Sequence, residues 1–240
     1  MKQRLARRGN APRNDLVSPT LRRVRIGIAI GVVALCVLAA VTEDVVTNDP
    51  LTQVDVSVLE SLHRHATPAG LAIFTVISRF GSPFAMTLLA LAGALFLVAR
   101  REWIVLGGWV IAFVGASVLD YWLKLAIHRP RPPYATALIH HPSWSFPSGH
   151  AMGSLVGYGM LAYVILLVAH GSRRTQLMVG GAAALMIAAI GLSRLYLGVH
   201  YISDVVGGYA AGLVWLSACV SGVEIARRWQ RRALRLNPTA

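Results

Sequence analysis

The segment SRLYLGVHYISD sets Ser193, Arg194, His200 and Asp204 between two apolar stretches, IAAIGL and VVGGYAAGLVWL. Arg, His and Asp are costly to bury in lipid, so side chains of these types in such surroundings are expected to line a polar cavity. His200 and Asp204 are four apart, so on a helix they share a face and the carboxylate can orient the imidazole. Two more polar groups lie upstream: Lys124, Arg129 and Arg131 in KLAIHRPRP, and Ser148, Gly149 and His150 in FPSGH. Arginine forks match phosphate oxygens. Ser148 as a helix cap would leave the Gly149 and His150 amides free at a positive helix end, which makes an anion site, and Gly149 would let the anion come close to the backbone. A nucleophile oriented by a carboxylate, facing a proton donor across a cationic cradle, is what in-line phosphoryl transfer requires.

The elements that must position these groups are membrane spans. Of 240 residues, 55% are hydrophobic and only 14% are charged, which places the chain among integral membrane proteins. The net charge of +13 would suggest a nucleic-acid partner if it were spread over a soluble surface. Instead it is clustered. Lys2, Arg4, Arg7, Arg8, Arg13, Arg22, Arg23 and Arg25 precede the first apolar stretch. Arg100 and Arg101, then Arg173 and Arg174, sit in short connections, and Arg227, Arg228, Arg231, Arg232 and Arg235 form the tail. This alternation fits the positive-inside rule with both termini cytoplasmic, and no nucleic-acid partner is expected. Cys36 and Cys219 read as buried apolar residues with neither disulfide nor metal spacing.

The expected fold is all-α and integral to a cell membrane, with six transmembrane helices and one or two amphipathic helices in the first outer loop. The spans are placed at Ile26–Val41 (an uncleaved anchor), Phe84–Ala99, Trp103–Ile127, Ser148–Ala169, Thr175–Leu192 and His200–Ile225. Residues 1–25 and 227–240 are read as basic cytoplasmic tails, and 26–226 as the functional domain, with outer loop 42–82 and core 83–226. Asp49-Pro50 and Thr67-Pro68 read as helix starts in that loop, and Leu51, Val54, Val58, Leu59 and Leu62 recur at helical spacing. Lys124 lies roughly 33 Å along its helix from Glu102, about one hydrocarbon thickness. The three polar groups therefore converge on one face, opposite the basic connections, and that face is extracytoplasmic.

These residues carry a family resemblance. The chain resembles the type 2 phosphatidic acid phosphatase superfamily, whose motifs are K-x6-R-P, P-S-G-H and S-R-x5-H-x3-D. They read here as Lys124, Arg131 and Pro132; Pro147 to His150; and Ser193, Arg194, His200 and Asp204. The similarity covers about residues 83–226. It implies that His200 attacks phosphorus to form a phosphohistidine, assisted by Asp204, and that His150 protonates the leaving oxygen. It implies further that Lys124, Arg131, Arg194, Ser148 and the Gly149 amide hold the phosphoryl oxygens. No cofactor and no metal are expected, since no Asp/Glu cluster suited to magnesium is visible. The substrate class is a lipid phosphate or diphosphate, with undecaprenyl diphosphate first. Phosphatidylglycerophosphate and phosphatidic acid follow, and a lipid phosphotransferase using the same site is the rival reaction. Besides membrane lipids, no obligate protein partner is evident.

Other residues are read more modestly. Asp120 is expected to pair with Lys124 and position it, in preference to a direct catalytic role. Ser193 is a possible supporting residue. Arg129 satisfies a shorter K-x4-R-P spacing and is placed at the rim, against lipid headgroups or substrate. His140 and His141 are assigned to a loop or the substrate rim, and His63 and His65 to the surface of the outer helix. Trp122, Tyr134 and Trp144 suit an interfacial aromatic belt. Ser78, Arg79 and Phe80 read equally as a helix end or as a border of the substrate entrance.

Overall fold

Cap chemistry sets the starts of several helices. Thr67 Oγ1 accepts from the Gly70 amide at 3.1 Å, and Ser82 Oγ accepts from the Ala85 amide at 3.2 Å. Each is followed by a proline in the first turn, where the missing N–H costs nothing. In the computed structural model, which describes residues 19–47, 50–137, 143–169 and 172–236, these starts open α3 (Pro68–Arg79) and α4 (Pro83–Ala99). The remaining helices are α1 (Pro19–Thr47), α2 (Pro50–Arg64), α5 (Trp103–Ile127), α6 (Gly149–Ala169), α7 (Arg173–Tyr196) and α8 (Ile202–Leu236). A short 3-10 turn, Pro133–Ala137, follows α5, and there is no strand among the described residues. Lys2 to Arg13, Asp49 and the His140-His141 pair lie outside the described residues.

Among the described residues, six apolar helical stretches are long enough to cross a membrane, and the protein is a multi-pass membrane protein. Several boundaries differ from expectation, beginning with α1, which runs over Pro19–Thr47 where Ile26–Val41 is expected. α4 covers the expected Phe84–Ala99 span; α3 is itself apolar and only Phe80 to Ser82 separates the two, so by hydropathy alone they run together as Pro68–Ala99. α3 nevertheless lies across one end of the bundle, as expected of a helix in that loop: the Thr67 amide donates to the Tyr196 hydroxyl at 3.1 Å, Phe74 packs on the Tyr196 ring and Ser78 meets Arg194, all at the last turn of α7. Farther along the chain, α7 continues through Ser193 and Arg194 to Tyr196, and α8 begins at Ile202 and runs without a break into the basic tail. His200 thus precedes its helix by two residues.

The bundle is apolar outside and tightly packed within. Leu91, Leu95, Leu177 and Leu185 are more than 60% exposed, as lipid-facing side chains should be. Inside, Trp109 and Ala112 of α5, Met152, Val156 and Met160 of α6, and Ala211 and Val223 of α8 form one buried cluster. The Trp109 and Trp215 indole N–H groups donate to the Ala90 and Ala112 carbonyls at 2.9 and 3.1 Å, tying α5 to α4 and to α8. Helix α1 packs along α8. Arg23 meets the buried Glu224 at 3.4 Å, and Tyr163 of α6 donates to the same carboxylate at 3.2 Å.

Helices α6 and α8 each begin within one of the three motifs, and Gly208 lets them touch. A Cβ at Gly208 would lie 2.7 Å from the Ser148 carbonyl oxygen and 3.1 Å from the Ala151 Cβ. Backbone cannot step aside as a side chain can, so the helices would have to part. Gly208→Leu is expected to destabilise the protein by about 1–3 kcal/mol, read as a lower melting temperature in detergent. Gly107→Leu, where nothing lies within 4 Å of the added Cβ, should leave the melting temperature unchanged.

Candidate active site

Three chain segments meet at the end of the bundle where α5 finishes and α6 and α8 begin. They are the last turn of α5 with the RPRP loop, the 143–150 stretch leading into α6, and the α7–α8 connection. Together they line a cavity of about 810 Å³. Asp120, Lys124, Arg131, Gly149, His150, Arg194 and His200 form its polar wall, while Met86, Phe113, Ala116, Met152 and Val156 form an apolar one. All three sequence motifs contribute to this one space.

His200 is 2% exposed and fixed at both ring nitrogens. Its Nδ1 lies 3.2 Å from Asp204 Oδ2, and its Nε2 lies 3.2 Å from Arg131 Nη1. The guanidinium can only donate, so Nε2 is the acceptor and the Nδ1–H faces the carboxylate. Burial is the main influence on its basicity and pushes the imidazole down to about 4, against the opposing pull of Asp204. Arg131 and Arg194 push the same way as burial. At neutral pH the ring is therefore uncharged, with its Nε2 lone pair on the side of the cationic cavity wall.

The cations are held from behind. Lys124 donates to Asp120, one helical turn earlier, and to the Pro147 carbonyl at 2.7 Å. Arg131 donates from Nε to the Ser143 carbonyl at 2.9 Å and from Nη1 to the Val199 carbonyl at 3.0 Å. Burial lowers the basicity of Arg131, with Asp204 and Asp120 acting in the opposite direction. Arg194 donates through Nη1 to the Ser78 hydroxyl of α3, and its buried Nε–H has no partner. A buried unmatched donor beside a polar cavity is a place for an incoming acceptor. A Cβ on Gly149 would sit 3.1 Å from Asp120 Oδ2, so glycine here lets α6 start against the Asp120 carboxylate.

Not every candidate faces the cavity. Ser148 is fully buried and does not line it; its amide donates to the Asp204 carbonyl at 2.9 Å, joining the starts of α6 and α8. Ser193 donates to the Ile190 carbonyl at 2.6 Å within its own helix. Asp204 stands behind His200 with 0% exposure. Ser78 is turned inward onto Arg194, while Phe80 is 50% exposed. His63 stacks on Tyr134 with ring centroids 3.8 Å apart, and Trp122 and Trp144 are exposed.

Arg129 is the clearest departure from expectation. It is 9% exposed, not at the rim, and bridges Asp204 Oδ1 at 2.7 Å and Asp55 Oδ2 at 2.8 Å. Burial disfavours its charge, but Asp204 and Asp55 outweigh that and raise its basicity. Asp55 on α2 is 1% exposed, and Ser145 donates to Asp204 Oδ2. Sequence reasoning missed Asp55 and Ser145. A signal existed for Asp55: it lies at helical spacing with Leu51, Val58, Leu59 and Leu62, on the apolar stripe of α2, where an acid must find a partner.

Comparison with known proteins identifies the family. The PAP2 superfamily model matches residues 105–228, which include all three motifs. Phosphatidylglycerophosphatase B of Bacillus subtilis is 35% identical over 145 residues, covering 59% of this chain and 70% of that protein. Decaprenylphosphoryl-5-phosphoribose phosphatase of Mycobacterium tuberculosis is 35% identical over 170 residues, covering 69% and 86% respectively. The crystal structure of a transmembrane PAP2-type phosphatidylglycerolphosphate phosphatase from Bacillus subtilis superposes with a TM-score of 0.69 at 28% identity, over 81% of this chain and 94% of that one. Aquifex aeolicus LpxE shares the fold, with a TM-score of 0.53 at 22% identity over 70% and 94%. The chain belongs to the PAP2 superfamily and is a membrane phosphatase, a hydrolase of phosphoric esters.

Proposed function

We propose that this phosphatase hydrolyses a lipid phosphate or diphosphate at the extracytoplasmic face through a phosphohistidine on His200, without metal. One observation carries the reading: His200 has its Nδ1 3.2 Å from Asp204 and its Nε2 beside Arg131, at a cavity that Lys124, Arg131, Arg194 and His150 also line. Nε2 attacks phosphorus in line, the bond from phosphorus to the leaving oxygen breaks, and His150 supplies that oxygen's proton. Water, deprotonated by His150, then attacks the phosphohistidine and frees phosphate and His200. The three cations and the first amides of α6 stabilise the charge on the phosphoryl oxygens.

A metal-free route is supported by the charge of the site. Among the described lining residues the only carboxylate is that of Asp120, and Lys124 occupies it. A divalent cation there would face three like charges, whereas a phosphate finds three opposite ones.

The apolar wall suits a lipid chain running from the reacting phosphate into the bilayer. Two relatives are named for phosphate removal from a phosphatidylglycerol lipid and from a prenyl-linked phosphoribose. Their names put a lipid-linked phosphomonoester beside undecaprenyl diphosphate as the first substrates to compare, with phosphatidic acid next. A phosphotransferase would use the same covalent step, and release of free phosphate without an added acceptor distinguishes hydrolysis from it. The sidedness rests on charge. Arg100, Arg101, Arg173, Arg174 and the arginines of the α8 tail lie at the helix ends remote from the cavity, and the positive-inside rule puts those ends in the cytoplasm.

Three tests follow. Purified protein should release phosphate from lipid phosphates in EDTA, and His200→Ala should abolish that release; dependence on added magnesium, or retention of a tenth of the rate, contradicts the mechanism. In a ¹⁵N-histidine NMR titration, His200 should remain the neutral Nδ1–H tautomer from pH 8 to about pH 5 and protonate near 4. Because the shift is downward, the nucleophile is lost only on the acid side, and a midpoint near the ordinary 6.5 contradicts the assignment. Finally, a cysteine at position 143 in a Cys36→Ser background should react with an impermeant maleimide on intact cells; labelling only after permeabilisation reverses the orientation.

A further inference from the structure

Asp204 has more partners than a carboxylate needs merely to hold an imidazole. Its Oδ2 faces His200 and also accepts from the Tyr201 amide at 2.9 Å and from the Ser145 hydroxyl. Its Oδ1 accepts from Arg129 at 2.7 Å. Arg129 is wholly committed to this task. Its Nη1 also meets Ser203 Oγ at 2.6 Å, its Nη2 meets Asp55 at 2.8 Å, and its guanidinium lies 4.3 Å from the centre of the Tyr201 ring. Asp55 grips the same place a second way, since its Oδ1 accepts from the Ser203 amide at 3.0 Å. One acid of α2 thus caps the first turn of α8 and fixes the arginine that fixes Asp204.

Neither Asp55 nor Arg129 lines the cavity, so neither is placed to hold substrate. Yet a buried carboxylate and a buried guanidinium are expensive unless paired, and breaking such a pair leaves an uncompensated charge. We propose that Asp55 and Arg129 are positioning residues that hold Asp204 ionised with Oδ2 turned to His200, making α2 part of the catalytic centre. The chemistry requires this. When Nε2 bonds to phosphorus the ring gains positive charge, and Asp204 must be ionised and facing Nδ1 at that moment. Without Arg129, Asp55 and Asp204 would confront each other with no cation between them, and one would take up a proton. A protonated Asp204 no longer fixes the His200 tautomer.

This inference rests on His200 being the nucleophile, and the experiment separates the two. The variants D55N, R129Q and D55N/R129Q would be compared with wild type and H200A for phosphate release from a lipid phosphate in detergent micelles. D55N should lower kcat about tenfold and R129Q about 100-fold, with KM changed less than about threefold. The decisive reading is the sign of D55N in the two backgrounds. It should cost activity beside Arg129 but raise activity in R129Q, because there it removes the unpaired carboxylate. The fraction of His200 in the Nδ1–H tautomer, measured by ¹⁵N NMR, should fall in R129Q and recover in the double variant.

Equal losses from D55N in both backgrounds, or an effect confined to KM, would overturn the proposal. If R129Q fails to fold, the isosteric D55N carries the test alone: its kcat and its tautomer fraction must both fall. An active H200A would refute the phosphohistidine reading, whereas an inactive H200A with a fully active D55N would refute only the positioning role.

Discussion

The whole site depends on putting charge where a bilayer protein can least accommodate it. Arg129, Asp204 and Asp55 are all buried, and each has an oppositely charged partner within hydrogen-bond reach. That requirement fixes more than side chains. It joins α2 to the start of α8, joins the start of α8 to the start of α6 through the Ser148 amide, and sets the RPRP loop between them. The helices supply a rigid frame, but the ionic and amide contacts at their tips decide how the frame is closed.

The two ends of the bundle use charge differently. Near the cavity, the cations outnumber the acids that line it and leave positive potential for an anion. At the remote end, Arg23 meets Glu224 and Arg227 meets Glu102 at 3.4 and 3.1 Å, with Arg23 and Glu102 well exposed. Such pairs contribute little individually, and their cations suit an interface with water and headgroups. Between the ends, α5, α6 and α8 meet through alanine, glycine, methionine and tryptophan with few polar atoms. Polar chemistry is thereby confined to one level of the membrane.

Much of this was legible in the sequence because its causes are local. Span lengths follow from hydrocarbon thickness, and Thr67-Pro68 and Ser82-Pro83 start helices through contacts within three residues. The cavity residues Lys124, Arg131, His150, Arg194 and His200 announced themselves as polar groups in apolar surroundings. What escaped was long-range pairing. Nothing near Arg129 in the chain indicates that its partners are Asp55 and Asp204, and a basic residue beside two prolines reads equally well as a rim cation. Ser148 and Gly149 show a subtler limit. Their motif is consistent with phosphate binding, but the structure gives the Ser148 amide to Asp204 and presses Gly149 against Asp120, so both also serve helix placement.

Helix α8 has a mechanical consequence. It is a single run of 35 residues with Asp204 in its first turn and Glu224 far along its shaft. Along that shaft lies α1, whose large aliphatic side chains mostly face lipid while Val24 and Ala34 are buried. The N-terminal helix therefore acts as a splint. It packs along the longest of the described helices, so a loss of α1 would reach a carboxylate at that helix's tip that α1 lies far from along the chain.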